Sequence, residues 1–210
     1  MSKSKANTPA LLPAGVHTDA CVEKARLVVM HKDRRHIAYH EAGHAVVAWA
    51  LGIRFKHVSI IPSEKDVGRI VMHYSRRWLS GSILPGDRKF SENHIAILFA
   101  GREAEEKFTG KDASDGFGGD WMAINWNVDM LIDLRDHDLG VQMRPPRKKN
   151  VDFLLPKEYF PLLTEQSTKA ERLVEKYWPE IVAVADALVD KECLDYRTVL
   201  NILKNIFRRA

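Results

Sequence analysis

Cysteine is nearly absent. Cys21 and Cys193 stand far apart, and neither has the close partner that a thiolate zinc site or a disulfide framework requires. Such sparing use fits a reducing compartment, and the chain reads as cytoplasmic. No apolar run approaches the roughly 20 residues needed to cross a bilayer. The polar start from Met1 to Thr8 carries Lys3 and Lys5 but leads into no long apolar stretch, so it does not read as a secretory signal. Membrane insertion is therefore not expected. Internal repeats and low-complexity tracts are missing as well. Neither sign of charge dominates: 32 Lys and Arg face 28 Asp and Glu, a net charge of +4. That balance is too weak to argue for nucleic acid.

What is present is an ordinary globular composition. With 210 residues, 45% of them hydrophobic, the chain can bury a core without cross-links, so a bound metal need not be structural. Residues 1–15 read as a flexible tail and 16–210 as a single domain. Apolar spacing suggests a short helix from Asp19 to Met30. Asp33 then caps a second helix running to about Leu51 and ended by Gly52. His57 to Pro62 and Gly68 to Tyr74 read as two strands of a small sheet. Gly81 to Asp87 reads as a loop, and Ser91 as the cap of a helix that ends near Thr109. Lys111 to Gly119 is loop, and Asp120 opens a helix through about Arg135. Residues 140–157 are a basic, proline-broken connection, and two or three helices follow from about Pro161. The fold class is mainly α with a small β-sheet (α+β), closed by a C-terminal helical bundle at about 156–208.

One short stretch carries chemistry. In His40-Glu41-Ala42-Gly43-His44 the two histidines lie one turn apart on a helix face, where both rings can reach a single zinc ion. Glu41 falls where its carboxylate can meet a water in an open metal position, accept its proton, and pass that proton to a leaving amine. Between Ile37 and Ile53 the helix is apolar nearly all round, which marks it as buried. Buried imidazoles and a carboxylate are costly without partners, and a metal satisfies all three. The plainer alternative is a hydrogen-bonded His–Glu cluster in a core. His36 continues the four-residue ladder, but Arg34 and Arg35 beside it suggest a solvated helix start instead of a third ligand.

The match extends beyond five residues. Ile37 to Val47 resembles the active-site helix of the FtsH-type ATP-dependent zinc metalloproteases. Val58-Ser59-Ile60-Ile61-Pro62 and Gly68-Arg69-Ile70-Val71-Met72 resemble that family's following strands. Ala100-Gly101-Arg102-Glu103-Ala104-Glu105-Glu106 is similar to its acidic helix. The similarity spans about residues 30–135, the motif-bearing core.

It implies a zinc metalloendopeptidase with one Zn2+ per chain and an aspartate as third ligand. That aspartate is Asp120 or Asp115, because the family's loop pattern is not reproduced here; Asp120 is preferred because helical pattern follows it directly. The plainer alternative for Asp120 is a simple helix cap, and it serves both roles only if its two oxygens divide the tasks. Glu105 is implied as an acceptor that orients a ligand histidine, or else as a member of an ion pair with Arg102 or Lys107. Gly68, Ile70 and Met72 are implied as an edge on which an extended polypeptide substrate pairs by main-chain hydrogen bonds.

The family's ATPase half is not matched: Gly110-Lys111 is followed by Asp112, and no phosphate-binding loop occurs. The expectation is thus a stand-alone, ATP-independent peptidase for unfolded or flexible chains, as a homo-oligomer or with a separate ATPase partner. Two other readings stand beside it: a weakly active or inactive regulatory binder that kept the fold, and a zinc hydrolase for a non-peptide bond. Asp129, Asp133 and Asp136 read as a solvated helix face, and Trp49 and Trp121 as core, with the lining of the cleft as the alternative for Trp121.

Overall fold

The computed structural model describes residues 19–62, 68–74, 85–113, 118–138 and 156–208. The expected tail at 1–15, Asp115, and most of the basic connection lie outside the described residues. The chain divides into two compact units, Met1–Lys32 and Asp33–Ala210. In the first, the described backbone (residues 19–32) is helical. The second holds all the described strands and the buried core.

Helix α1 runs Asp19–Ala50 without a break. The expected division at Asp33 does not occur. No proline or glycine interrupts residues 20–42, and extending an existing helix costs far less than nucleating a new one. Gly52 does end the helix. Its φ of +73° lets Ile53 N–H donate to the Ala48 carbonyl at 2.8 Å and Gly52 N–H to that of Trp49 at 2.9 Å, the paired closure that a left-handed glycine permits.

Strand β1 (Phe55–Ser59) and strand β2 (Arg69–Met72) are shorter than the stretches read as strands, and β1 begins two residues earlier, at the fully buried Phe55. A third strand, β3 (Cys193–Asp195), gives the antiparallel order β2-β1-β3, with Val58 opposite Ile70 on one side and Leu194 on the other. Among the described strands β2 thus lies at an edge of the sheet.

Helix α2 runs Pro85–Thr109. Residues 85–87, expected as loop, are its first turn, and Ser91 lies buried inside it instead of capping it. Proline suits that opening, since its φ is already helical and its missing N–H would be unsatisfied there anyway.

Helix α3 runs Gly118–Asp138, so Asp120 sits in the first turn instead of at the cap. A carboxylate there is favoured by the helix dipole. After a 3-10 turn at Lys157–Tyr159 come α4 (Phe160–Lys176), α5 (Trp178–Lys191) and α6 (Tyr196–Phe207). α6 opens at Asp195, whose side chain accepts from Thr198 N–H at 2.8 Å.

The core bears out the reading of α1 as a buried helix: Ala38, Ala42, Ala45, Val46, Val47 and Ala48 are fully enclosed. Around them pack Ile95, Ile97 and Ala100 of α2, Ile124, Val128 and Leu131 of α3, and Val184, Leu188 and Leu203 of the C-terminal helices. Each buried branched side chain contributes about 1.5–3 kcal/mol.

Trp49 is half-buried against Tyr177 and Phe207. Trp121 is 39% exposed, against the expectation of core. Trp121 lies near the start of α3, ahead of the buried run that begins at Ile124. Asp129 is partly exposed, while the side chains of Asp133 and Asp136 lie outside the described set. No described helix is long and apolar enough to cross a membrane.

Candidate metal centre

Because α1 is helical through His40 and His44, their rings project from one face a turn apart. The centroids are 4.7 Å apart and the planes meet at 86°. Asp120, carried by the first turn of α3, completes the cluster. Its Oδ2 lies 2.9 Å from His40 Nε2 and 3.3 Å from His44 Nε2. One donor atom from each of the three residues lies within 4.8 Å of the others, and among the described residues no other His, Cys, Asp or Glu group converges this way.

The far side of each ring is anchored. His40 Nδ1 lies 3.1 Å from Glu105 Oε2, and His44 Nδ1 lies 2.7 Å from the Ile97 carbonyl, both on α2. Acceptors at both Nδ1 positions place a hydrogen there, so Nε2 is the atom each ring turns toward Asp120. Arg102 pairs with Glu106 at 2.7 Å and with Asp112 at 3.6 Å, and Lys107 pairs with Glu175. His36 packs its ring edge against Phe108, 5.8 Å between centroids, and is not part of the cluster.

Electrostatics describe a site that attracts positive charge. Burial works to lower the His40 pKa, but its hydrogen bonds to Asp120 and Glu105 and the charges of Asp120 and Glu41 prevail and hold it at about 10. His44 is likewise pulled down by burial and by His40 but ends raised, chiefly through Asp120. Asp120, which burial alone would raise, is held far below the usual carboxylate range by the two histidines.

The donor set fits zinc. A tetrahedral ion with ligands at about 2.0–2.1 Å spaces neighbouring ligand atoms about 3.3 Å apart, close to the two His–Asp separations. Two imidazoles and one carboxylate leave a fourth position for water, the pattern of catalytic, not structural, sites. Space is also reserved: a Cβ on Gly101 of α2 would fall 2.5 Å from His44 Nε2 and 2.7 Å from His40 Nε2.

Glu41, on the same helix between the two histidines, is 5% exposed and lies against the start of β2. A Cβ on Gly68 would come within 2.7 Å of its Oε1. Met72 of β2 is buried and Ile70 partly so. Two members of the site escape sequence reasoning. The Ile97 carbonyl is backbone and leaves no residue-type signal, and Gly101, though inside a recognised motif, shows its part only when the rings are placed over it.

The chain matches the model of peptidase family M41 over residues 27–132, half of its length. It is 26% identical to the ATP-dependent zinc metalloprotease FtsH of Nitrosococcus oceani over 205 residues, 87% of this chain and 31% of that protein. It is 25% identical to FtsH of Rhodothermus marinus over 206 residues, 88% of this chain and 28% of that protein. A shorter stretch of 107 residues is 36% identical to the chloroplastic FTSH 1 of rice, covering 49% of this chain and 15% of that one. The chain thus spans less than a third of these curated relatives. The resemblance read from the motifs holds: the chain belongs to peptidase family M41, a family of zinc-dependent proteases.

Proposed function

We propose that the chain is a zinc-dependent endopeptidase in which His40, His44 and Asp120 hold one Zn2+ and Glu41 is the general base. The observation that carries this reading is the convergence of His40 Nε2, His44 Nε2 and Asp120 Oδ2 on one point, with both rings fixed from behind. Zinc bound there supplies a Lewis acid and lowers the pKa of water toward neutrality. Glu105 and the Ile97 carbonyl hold the imidazoles in the tautomer that presents Nε2. Glu41 takes one proton from the attacking water and hands it to the departing amine nitrogen, while the remaining hydroxyl bonds to the carbonyl carbon and stays with it as the new carboxylic acid, so that the C–N bond breaks in balance.

The substrate is an extended polypeptide. β2 is an edge strand, so Gly68, Ile70 and Met72 offer main-chain groups to a chain laid alongside, next to Glu41. Main-chain pairing asks for flexibility more than for sequence, and these 210 residues are proposed to cut unfolded or flexible chains without ATP. A folded substrate would first have to be opened by a separate ATPase partner, or drawn into a ring of copies. The sparing use of cysteine supports a cytoplasmic setting.

The test is cleavage of unfolded casein by the zinc-loaded chain, with and without ATP. Glu41→Gln should keep about one zinc per chain and lose turnover by about 10²–10⁴-fold. A zinc-loaded wild type that cuts no unfolded chain would instead favour a binding protein built on the peptidase fold.

A further inference from the structure

We infer that Gly101 is a positioning residue of the metal centre, a gap in α2 that lets the two ligand histidines lie across that helix. The inference rests on the proposed zinc site. His44 Nδ1 reaches the Ile97 carbonyl at 2.7 Å. That carbonyl is one turn before Gly101, so within α2 it also accepts the Gly101 N–H, and its second lone pair serves the imidazole. To reach it, the His44 ring crosses the surface of α2 at residue 101. A Cβ there would lie 2.5 Å from His44 Nε2 and closer still to Cε1, and 2.7 Å from His40 Nε2. Cβ atoms essentially never approach other atoms so closely. A methyl group would therefore meet both Nε2 atoms at once.

The expectation runs against helix propensity. Glycine inside a helix is ordinarily a liability, and replacing it with alanine ordinarily stabilises. At Gly101 the sign reverses because of what lies opposite. The other glycine at this crossing, Gly43 of α1, differs. A Cβ on it would meet the Ala100 carbonyl and, at 2.7 Å, the Ala104 Cβ. That glycine serves the approach of the two helices, whereas Gly101 serves the rings.

The experiment compares four full-length chains: wild type, Gly101→Ala, His40→Ala/His44→Ala, and the triple variant. Each is followed by thermal unfolding in chelator, by zinc stoichiometry and competition affinity, and by the visible spectrum of the Co2+ form. In the wild-type background Gly101→Ala should lower Tm by several degrees, weaken zinc binding at least about 10-fold and alter or abolish the Co2+ bands. In the double-alanine background the same change should raise Tm by about 2–4 °C.

Equal lowering of Tm in both backgrounds overturns the inference, as does a Gly101→Ala chain with wild-type zinc affinity and Co2+ spectrum. If Gly101→Ala cannot fold while the triple variant folds, the inference stands; if both fail, it falls. A wild type that binds no zinc defeats the metal reading, and that failure is distinct, because the chelated unfolding series reads the steric conflict by itself.

Discussion

Acidification should unfold this protein partly through a histidine that holds no metal. His94 of α2 is 4% exposed, with the Tyr74 and Phe90 rings 5.9 and 5.7 Å from its own. Its Nδ1 lies 3.2 Å from Asn127 Oδ1, while Asn127 Nδ2 donates to the Ala123 carbonyl at 2.7 Å. The Asn127 oxygen is therefore the acceptor and His94 Nδ1 carries the hydrogen, an assignment made from the network. A second proton has to go to Nε2, inside the core. Burial opposes it most, and the charge on His44 adds to that. The Asn127 hydrogen bond and Asp120 recover only part, and the pKa is pushed down to about 4.

An unfolded histidine titrates near 6.5, so the difference is about 2.5 units, or about 3 kcal/mol at 1.36 kcal/mol per unit. Between pH 6.5 and 4 the unfolded chain binds a proton that the folded chain refuses. This contribution is therefore complete above about pH 6.5, declines as pH falls through that window, and is gone below about 4. Against a typical total of about 5–15 kcal/mol it is a large share. Urea unfolding from about pH 7.5 to 4 should show the wild type losing about 3 kcal/mol more than His94→Gln, whose amide can still donate to Asn127. Parallel curves for the two proteins would refute the reasoning.

Asp120→Asn removes one of the three proposed protein ligands while keeping its shape. Structural zinc sites with four ligands bind with about 10–16 kcal/mol, roughly 3 kcal/mol per ligand. Chelator competition should therefore find zinc affinity reduced by about 10²-fold, with Asp115→Asn unchanged; the reverse pattern would transfer the ligand role to Asp115. Gly68→Ala should drive a Cβ into Glu41 Oε1 and Ile37 Cγ2, each 2.7 Å away. Turnover should fall by up to about 10²-fold, the usual cost of a group displaced by an ångström, with zinc content intact; unchanged kcat would show that Glu41 does not depend on this contact.

Local features of the site are legible in the sequence because they repeat at the helix period. His40 and His44 need only one helix, and the apolar residues around them mark it as buried. The third donor is 80 residues beyond His40, and Glu105 is 65 beyond. Tertiary packing alone brings them together, so they are reachable only through resemblance to a family. Short-range signals also mislead where one residue type suits two roles. Asp33 and Ser91 are good caps, yet both lie inside helices, because neither a cap nor an interior position is decided without knowing where the preceding turn begins. β3 has three residues, too few for a period of two to show, and it exists because β1 offers it an edge.

The packing of α1 on α2 shows why a four-residue spacing on one helix is answered by the same spacing on the other. His44 lies over Ile97 and Gly101, and His40 reaches Glu105, so the contacts run antiparallel: as the number falls along α1 it rises along α2. On α2, residues 97, 101 and 105 are successive turns of one stripe. They supply in order a carbonyl acceptor, an empty position and a carboxylate acceptor. Beside it, 100 and 104 form a second stripe of alanines that admits the α1 backbone at Gly43. Both stripes are needed together. Without Ala100 and Ala104 the helices stand too far apart for the rings to touch α2 at all; without the gap at 101, the same closeness drives a side chain into the nitrogens that must face the ion. The small residues within Ala100-Gly101-Arg102-Glu103-Ala104-Glu105 therefore set the distance at which the histidine pair of α1 meets its acceptors on α2.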